Sequence, residues 1–277
     1  MHVAVGGGPK DVTDAAGSLW VTNFNDGTVS RVDPVTARVV ATIPVGQGPI
    51  TVLAAGDAIW VANYLGGSIS RIDQASNQVT ATVATGGKPV GLTAVGAILW
   101  VFNQSTATAT LVDTGTVNRV ATVNTGVRAG WSTAYAGRIW VSDFQGGTKQ
   151  LIAIDPAQHA VVARVPTGTA PIAASFADGS GWVANTGDAS VTRFDPATGQ
   201  VQATIAVPGG NIGPLLATPS AIWVSVYGGA AVVRIDPTDN AVAATIKVGA
   251  HPQRMALVGT ALWLVEDGDN DIVAVPN

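Results

Sequence analysis

Cysteine is absent from this 277-residue chain, which excludes disulfides, thiolate metal sites and a cysteine nucleophile. Three histidines and one glutamate, Glu266, leave few groups for acid–base work. Charged residues make up only 12% of the chain, against about 25% in typical soluble domains, so uncharged polar groups must cover its surface. With 14 Lys+Arg against 18 Asp+Glu the net charge is -4, which argues against bulk attraction to nucleic acid or an anionic membrane. No apolar run reaches the ~18 to 20 residues of a membrane-spanning helix, because Gly, Thr, Asn and Asp interrupt each one. The start, Met1-His2-Val3-Ala4-Val5, has no basic segment ahead of a long apolar one. It reads as cytoplasmic or as a mature form whose signal sequence is gone, and the secreted or periplasmic reading is preferred. Phosphate loops, Gly-x-Ser-x-Gly elbows and His-Glu-x-x-His are missing too, and Gly6-Gly7-Gly8-Pro9-Lys10 leads into a strand rather than a helix. Classical hydrolase, kinase and nicotinamide chemistry are therefore disfavoured.

What is present is a repeat. Trp20, Trp60, Trp100, Trp140, Trp182, Trp223 and Trp263 recur at roughly 40 to 42 residues, each in a phrase such as Leu19-Trp20-Val21-Thr22-Asn23 or Ile59-Trp60-Val61-Ala62-Asn63. About 13 residues later comes a second anchor, as in Arg31-Val32-Asp33-Pro34 and Arg234-Ile235-Asp236-Pro237. Between anchors, short β-branched runs are bounded by Gly, Asp and Asn, and no segment has helical periodicity. Four short strands per unit, seven times over, predict an all-β, seven-bladed β-propeller with four-stranded antiparallel blades, forming one domain over residues 1–277. The last unit runs out after its third strand, Asp271-Ile272-Val273-Ala274-Val275, while His2-Val3-Ala4-Val5-Gly6 matches the fourth-strand phrase Thr42-Ile43-Pro44-Val45-Gly46. The N-terminal strand is thus expected to complete blade seven and close the ring.

The Trp20-Val21-Thr22-Asn23 phrase, followed by Gly27-Thr28-Val29-Ser30-Arg31-Val32-Asp33, resembles the repeat of the YVTN family of β-propellers, with tryptophan in place of the name-giving tyrosine. The chain also looks like the virginiamycin B lyase group over essentially its whole length. That resemblance implies elimination chemistry on a cyclic depsipeptide, with a catalytic His and a carboxylate-held Mg²⁺ on the central face. The group's Glu-Pro-His phrase at the start of the last blade reads His251-Pro252-Gln253 here. His251 then replaces a metal-binding Glu and Gln253 the catalytic His, while Glu266 keeps its slot after the Trp strand.

Residues that depart from the repeat are candidates for function, because the fold does not dictate them. Connections between blades and the turns after each Trp strand are expected to meet around the central channel. Lys10, Lys88, Arg128, His251 and Arg254 would gather positive charge there, and Trp131, Tyr64, Tyr227 and Gln253 would supply rings and an amide to grip a ligand. Trp131 is the one tryptophan outside the series. The slot three after each Trp reads Asn23, Asn63, Asn103, Asp143, Asn185, Val226, Glu266; Asn there suits a cap on a turn N–H, whereas Glu266 does not. The leading expectation is a binding propeller for a small anionic or peptide-like ligand at a mouth formed by blades three, four and seven. Nucleic acid and membrane are not expected partners, and a monomer is. One alternative is a lyase- or isomerase-type enzyme, with His251 as base and Glu266, with Asp267, holding Mg²⁺ or Ca²⁺. Another is an interaction or sensor platform.

Overall fold

The structure, a computed structural model, describes residues 1–276, so Asn277 at the end of the expected domain lies outside it. Twenty-eight strands form seven four-stranded sheets. In blade one, strand A (Pro9–Ala15), strand B (Ser18–Asn23), strand C (Thr28–Asp33) and strand D (Arg38–Pro44) pair in order. Each A-to-B step is a two-residue hairpin, and in blades one, four and five both turn residues have positive φ, as Ala16 and Gly17 do at 48° and 68°, a turn whose twist matches that of the flanking strands. Strand C ends in an Asp whose carboxylate accepts the next N–H groups, as Asp113 Oδ1 does from Gly115 and Thr116 at 3.1 and 2.7 Å. That local bond turns the chain into strand D.

Why the repeat needs its tryptophan follows from the packing. All seven in-series indoles are 0–3% exposed, and each is seated on the next blade in the ring. Trp20 packs with Ile59, Val61 and Ile72 of blade two, Trp60 with Leu99 and Val112 of blade three, and Trp263 with Val12 and Leu19 of blade one. Seven separate apolar clusters therefore sit between blades rather than one at a centre. The in-series arginines strap these joints. Arg31 lies 4.9 Å from the Trp20 ring and donates to the Gln74 carbonyl and Asn77 Oδ1 of blade two at 2.8 and 2.9 Å, and Arg193 repeats this on Trp182, Pro237 and Asn240.

The ring closes as the sequence implies. Blade seven consists of Pro252–Val258, Ala261–Glu266 and Asp271–Pro276 plus the N-terminal strand His2–Ala4. Its register is His2 opposite Val273, Val3 opposite Ile272 and Ala4 opposite Asp271. Val3 is buried among Val12, Leu19 and Ile272. No helix among the described residues is long and apolar enough to cross a membrane.

Candidate functional site

Turns and connections meet at one end of the ring because the backbone ties them together. The N–H groups of Phe24, Tyr64, Gln104 and Asp267 donate to the carbonyls of Gly8, Gly48, Lys88 and His251 at 2.8–3.2 Å. The Asn slot reinforces this end, though not by capping its own turn. Asn63 accepts from the Gly46 N–H of the incoming connection at 3.2 Å, and its amide donates to Ser68 and Ser70 of strand C at 3.1 and 2.9 Å. One side chain therefore ties three segments of the blade.

A cavity of ≈ 390 Å³ opens at this end. Phe24, Tyr64 and Phe144 come from the slot four after the Trp, as does Gln104; Ile50, Val90 and Lys10 come from the slot after the strand-A proline, and Trp131 adds a further ring. Blades one to four supply these walls, rather than blades three, four and seven. The blade-six and blade-seven side is taken up otherwise. Tyr227 and His251 stack face to face, centroids 4.4 Å apart and 8° from parallel, and burial followed by the Asp267 charge raises the Tyr227 phenol above its usual range. Asp267 forms an ion pair with Lys10 and lies 3.5 Å from Gln253 Nε2.

A second cavity, of ≈ 250 Å³, has a lining that includes Asp11, Ser132 and Arg254. The Arg254 guanidinium lies 5.5 Å from the Trp131 ring and its Nε is 3.5 Å from Asp11 Oδ1. Asp11 is 4% exposed and accepts the Val12 and Val52 N–H groups at 2.9 and 3.2 Å. Burial raises its pKa, and Arg254 opposes that shift. The Trp131 Nε1 is buried with no hydrogen-bond partner.

The remaining expected residues fall into two groups. Lys88 is exposed and stands 5.1 Å from the Tyr64 ring, and the Tyr64 hydroxyl donates to Gln104 Oε1 at 3.1 Å. Arg128 is exposed, and its N–H donates to Asp143 Oδ1 at 3.0 Å. Of the five cations expected at the mouth, Lys10 and Arg254 are thus paired with carboxylates. Glu266 is fully buried and occupies the Asn slot in the manner of Asn63, its Oε1 accepting the Gly249 N–H at 2.6 Å. The other oxygen, Oε2, faces His2 Nδ1 at 3.9 Å, and His2 Nδ1 is 2.9 Å from Asp271 Oδ2. Burial, aided by Asp271, lifts the Glu266 carboxyl to about 7. Glu266 and Asp267 do not share a ligand position: one turns to His2, the other to Lys10. Since His251 stacks on Tyr227 and the free Glu266 oxygen turns to His2, the residues aligned with the lyase group's magnesium holders do not fit a metal at the mouth.

Sequence reasoning passed over His2, Asp271 and Gln104. Gln104 had a signal, being an amide in a slot that holds rings at Phe24, Tyr64, Phe144 and Tyr227; His2 and Asp271 are 269 residues apart and meet only when the ring closes.

No family model and no curated protein matches the chain by sequence. Solved structures do match. A streptogramin B lyase is 15% identical with a TM-score of 0.86, over 100% of this chain and 97% of that one. Virginiamycin B lyase from Staphylococcus aureus is 12% identical with a TM-score of 0.86, over 100% and 98%. Hydrazine synthase of Kuenenia stuttgartiensis is 16% identical with a TM-score of 0.85, over 99% and 97%. At such identities the likeness is one of fold, and function must be argued from the site.

Proposed function

We propose that the propeller binds a small peptide-like or anionic ligand in the cavity above Trp131. The supporting observation is a mouth of ≈ 390 Å³ walled by Phe24, Tyr64, Phe144 and Trp131, within the ~300–1,000 Å³ range of small-molecule sites. Flat apolar faces suit a peptide-like or ring-shaped ligand, and the buried, unpartnered Trp131 Nε1 gains if a shift of the ring lets it donate to a carbonyl or carboxylate. Lys88 supplies a cation that no carboxylate neutralises among the described ion pairs. The pairing of Lys10 and Arg254 with Asp267 and Asp11 favours a ligand of low charge over a highly phosphorylated one. Proton transfer between His251 and Glu266 has less support, because the two side chains engage different partners.

Tryptophan fluorescence tests this reading. Acidic organic molecules and short linear and cyclic peptides are titrated into the wild type, Trp131→Phe and Lys88→Ala. A saturable signal that Trp131→Phe weakens, and that Lys88→Ala weakens about 10-fold for acidic ligands alone, is the expected result. Saturable binding indifferent to both substitutions, or no binding across the panel, overturns it.

A further inference from the structure

Away from the mouth, at the seam where the first strand joins the last blade, three donor groups converge. His2 Nδ1, a Glu266 oxygen and an Asp271 oxygen all lie within 4.8 Å of one another. Two come from neighbouring strands of one sheet, since Asp271 is the cross-strand partner of Glu266, and the third comes from the closing strand. The repeat shows that this cluster is not what the fold requires. In blades two and five the same two slots hold Asn63 with Ser68 and Asn185 with Ser190, each pair joined by a hydrogen bond of 3.1 Å. Blade seven replaces an amide and a hydroxyl, which satisfy each other, by two carboxyl groups, which do so only through a shared proton or a bound cation.

A second observation points to a missing ligand. Glu266 is 0% exposed, yet its Oε2 has no hydrogen-bond partner and neither does Asp271 Oδ1. A buried carboxylate oxygen left unpaired beside another carboxylate is costly unless a proton or a cation joins them. His2 is 64% exposed on the outer side and borders an open groove with Lys247 and Gly249, so an ion has a route in and room for a water ligand.

We propose that His2, Glu266 and Asp271 form a zinc-class metal site that fastens the N-terminal strand to the ring. The donor set decides the class. One imidazole and two carboxylates suit Zn²⁺ or a similar transition dication, whereas Mg²⁺ and Ca²⁺ prefer all-oxygen shells. Geometry agrees: a metal about 2.1 Å from each ligand places tetrahedral donors about 3.4 Å apart, and the His2 Nδ1 contacts are 2.9 and 3.9 Å. The inference is independent of the mouth and stands or falls without it.

The test is calorimetric titration of the chelator-stripped protein with Zn²⁺, Mg²⁺ and Ca²⁺, paired with thermal melts. Variants are His2→Ala, His159→Ala as a surface-histidine control, and Glu266→Asn/Asp271→Ser, which gives blade seven the residue pair of blades two and five and so keeps the fold. The expected result is one Zn²⁺ per chain with a raised Tm, at least 10-fold weaker in His2→Ala, lost in the double variant and unchanged in His159→Ala. Zinc binding that survives the double variant, preference for Mg²⁺ or Ca²⁺, or no binding at 0.1 mM ion, on the order of the weakest useful affinity, overturns it.

Discussion

Arg254 and Asp11 belong to blades seven and one, and their contact in the channel is the place where a single side chain carries the most. Asp11 is buried and its Oδ2 is spent on the Val52 N–H, so removing the guanidinium leaves a desolvated carboxylate with backbone donors alone. Breaking a fully buried pair costs about 3–5 kcal/mol. Arg254 keeps 22% of its side chain exposed, so Arg254→Ala is expected to cost about 2 kcal/mol. Urea unfolding checks it, and a loss below about 0.5 kcal/mol, the size of an ordinary surface change, would show that solvent already screens Asp11. How much of this cluster the sequence discloses depends on whether a residue departs from its own series. Trp131 does, and its place in the mouth can be read from the repeat. Asp11 and Arg254 share one slot in adjacent blades, yet their partnership requires knowing that blade seven sits beside blade one.

Strands and turns follow from local chemistry, which is why they are legible almost completely in the repeat. The Asp that ends strand C is an example, since its acceptor role needs only the N–H groups two and three residues on. The Thr36 and Ser76 hydroxyls first for Asp33 and Asp73, and the backbone N–H groups first for Asp113, Asp195 and Asp236, hold these carboxyls below their usual value of 3.8. A depressed folded pKa gives stability that is present in full above the unfolded value and is lost as pH falls through the folded one. The Tm gap between wild type and Asp113→Ala is therefore expected to stay constant from pH 7 to about 5 and to close below about 3.8. A gap that persists unchanged at pH 2.5 would mean that the turn is held by its other bonds. The Asn slot shows where local reading stops: its type is evident from sequence, but the Gly46 N–H it accepts belongs to the connection before strand A.

At the scale of the ring, no blade has a core of its own, and each indole stabilises the blade that follows it. The strand His2–Ala4 is then the seventh joint as well as the fourth strand of a sheet, because Val3 enters the cluster that Trp263 shares with blade one. Deleting residues 1–5 uncovers the edge of Asp271–Pro276 and empties that joint. A steep fall in Tm with a broadened transition is expected by calorimetry, while Val3→Ala alone costs about 2 kcal/mol. An unchanged melt for the deletion would mean that six joints suffice.

This seam also sets an order of events in the cell. The strand His2–Ala4 pairs with Asp271–Pro276, His2 opposite Val273 and Ala4 opposite Asp271, so it is made before the other six blades and must wait unpaired until they have been synthesised. A chain cut short by a premature stop is therefore not a smaller propeller. It keeps a loose leading strand and an exposed blade face, which quality-control proteases and chaperones recognise, and the circle closes only once the third strand of blade seven has been made.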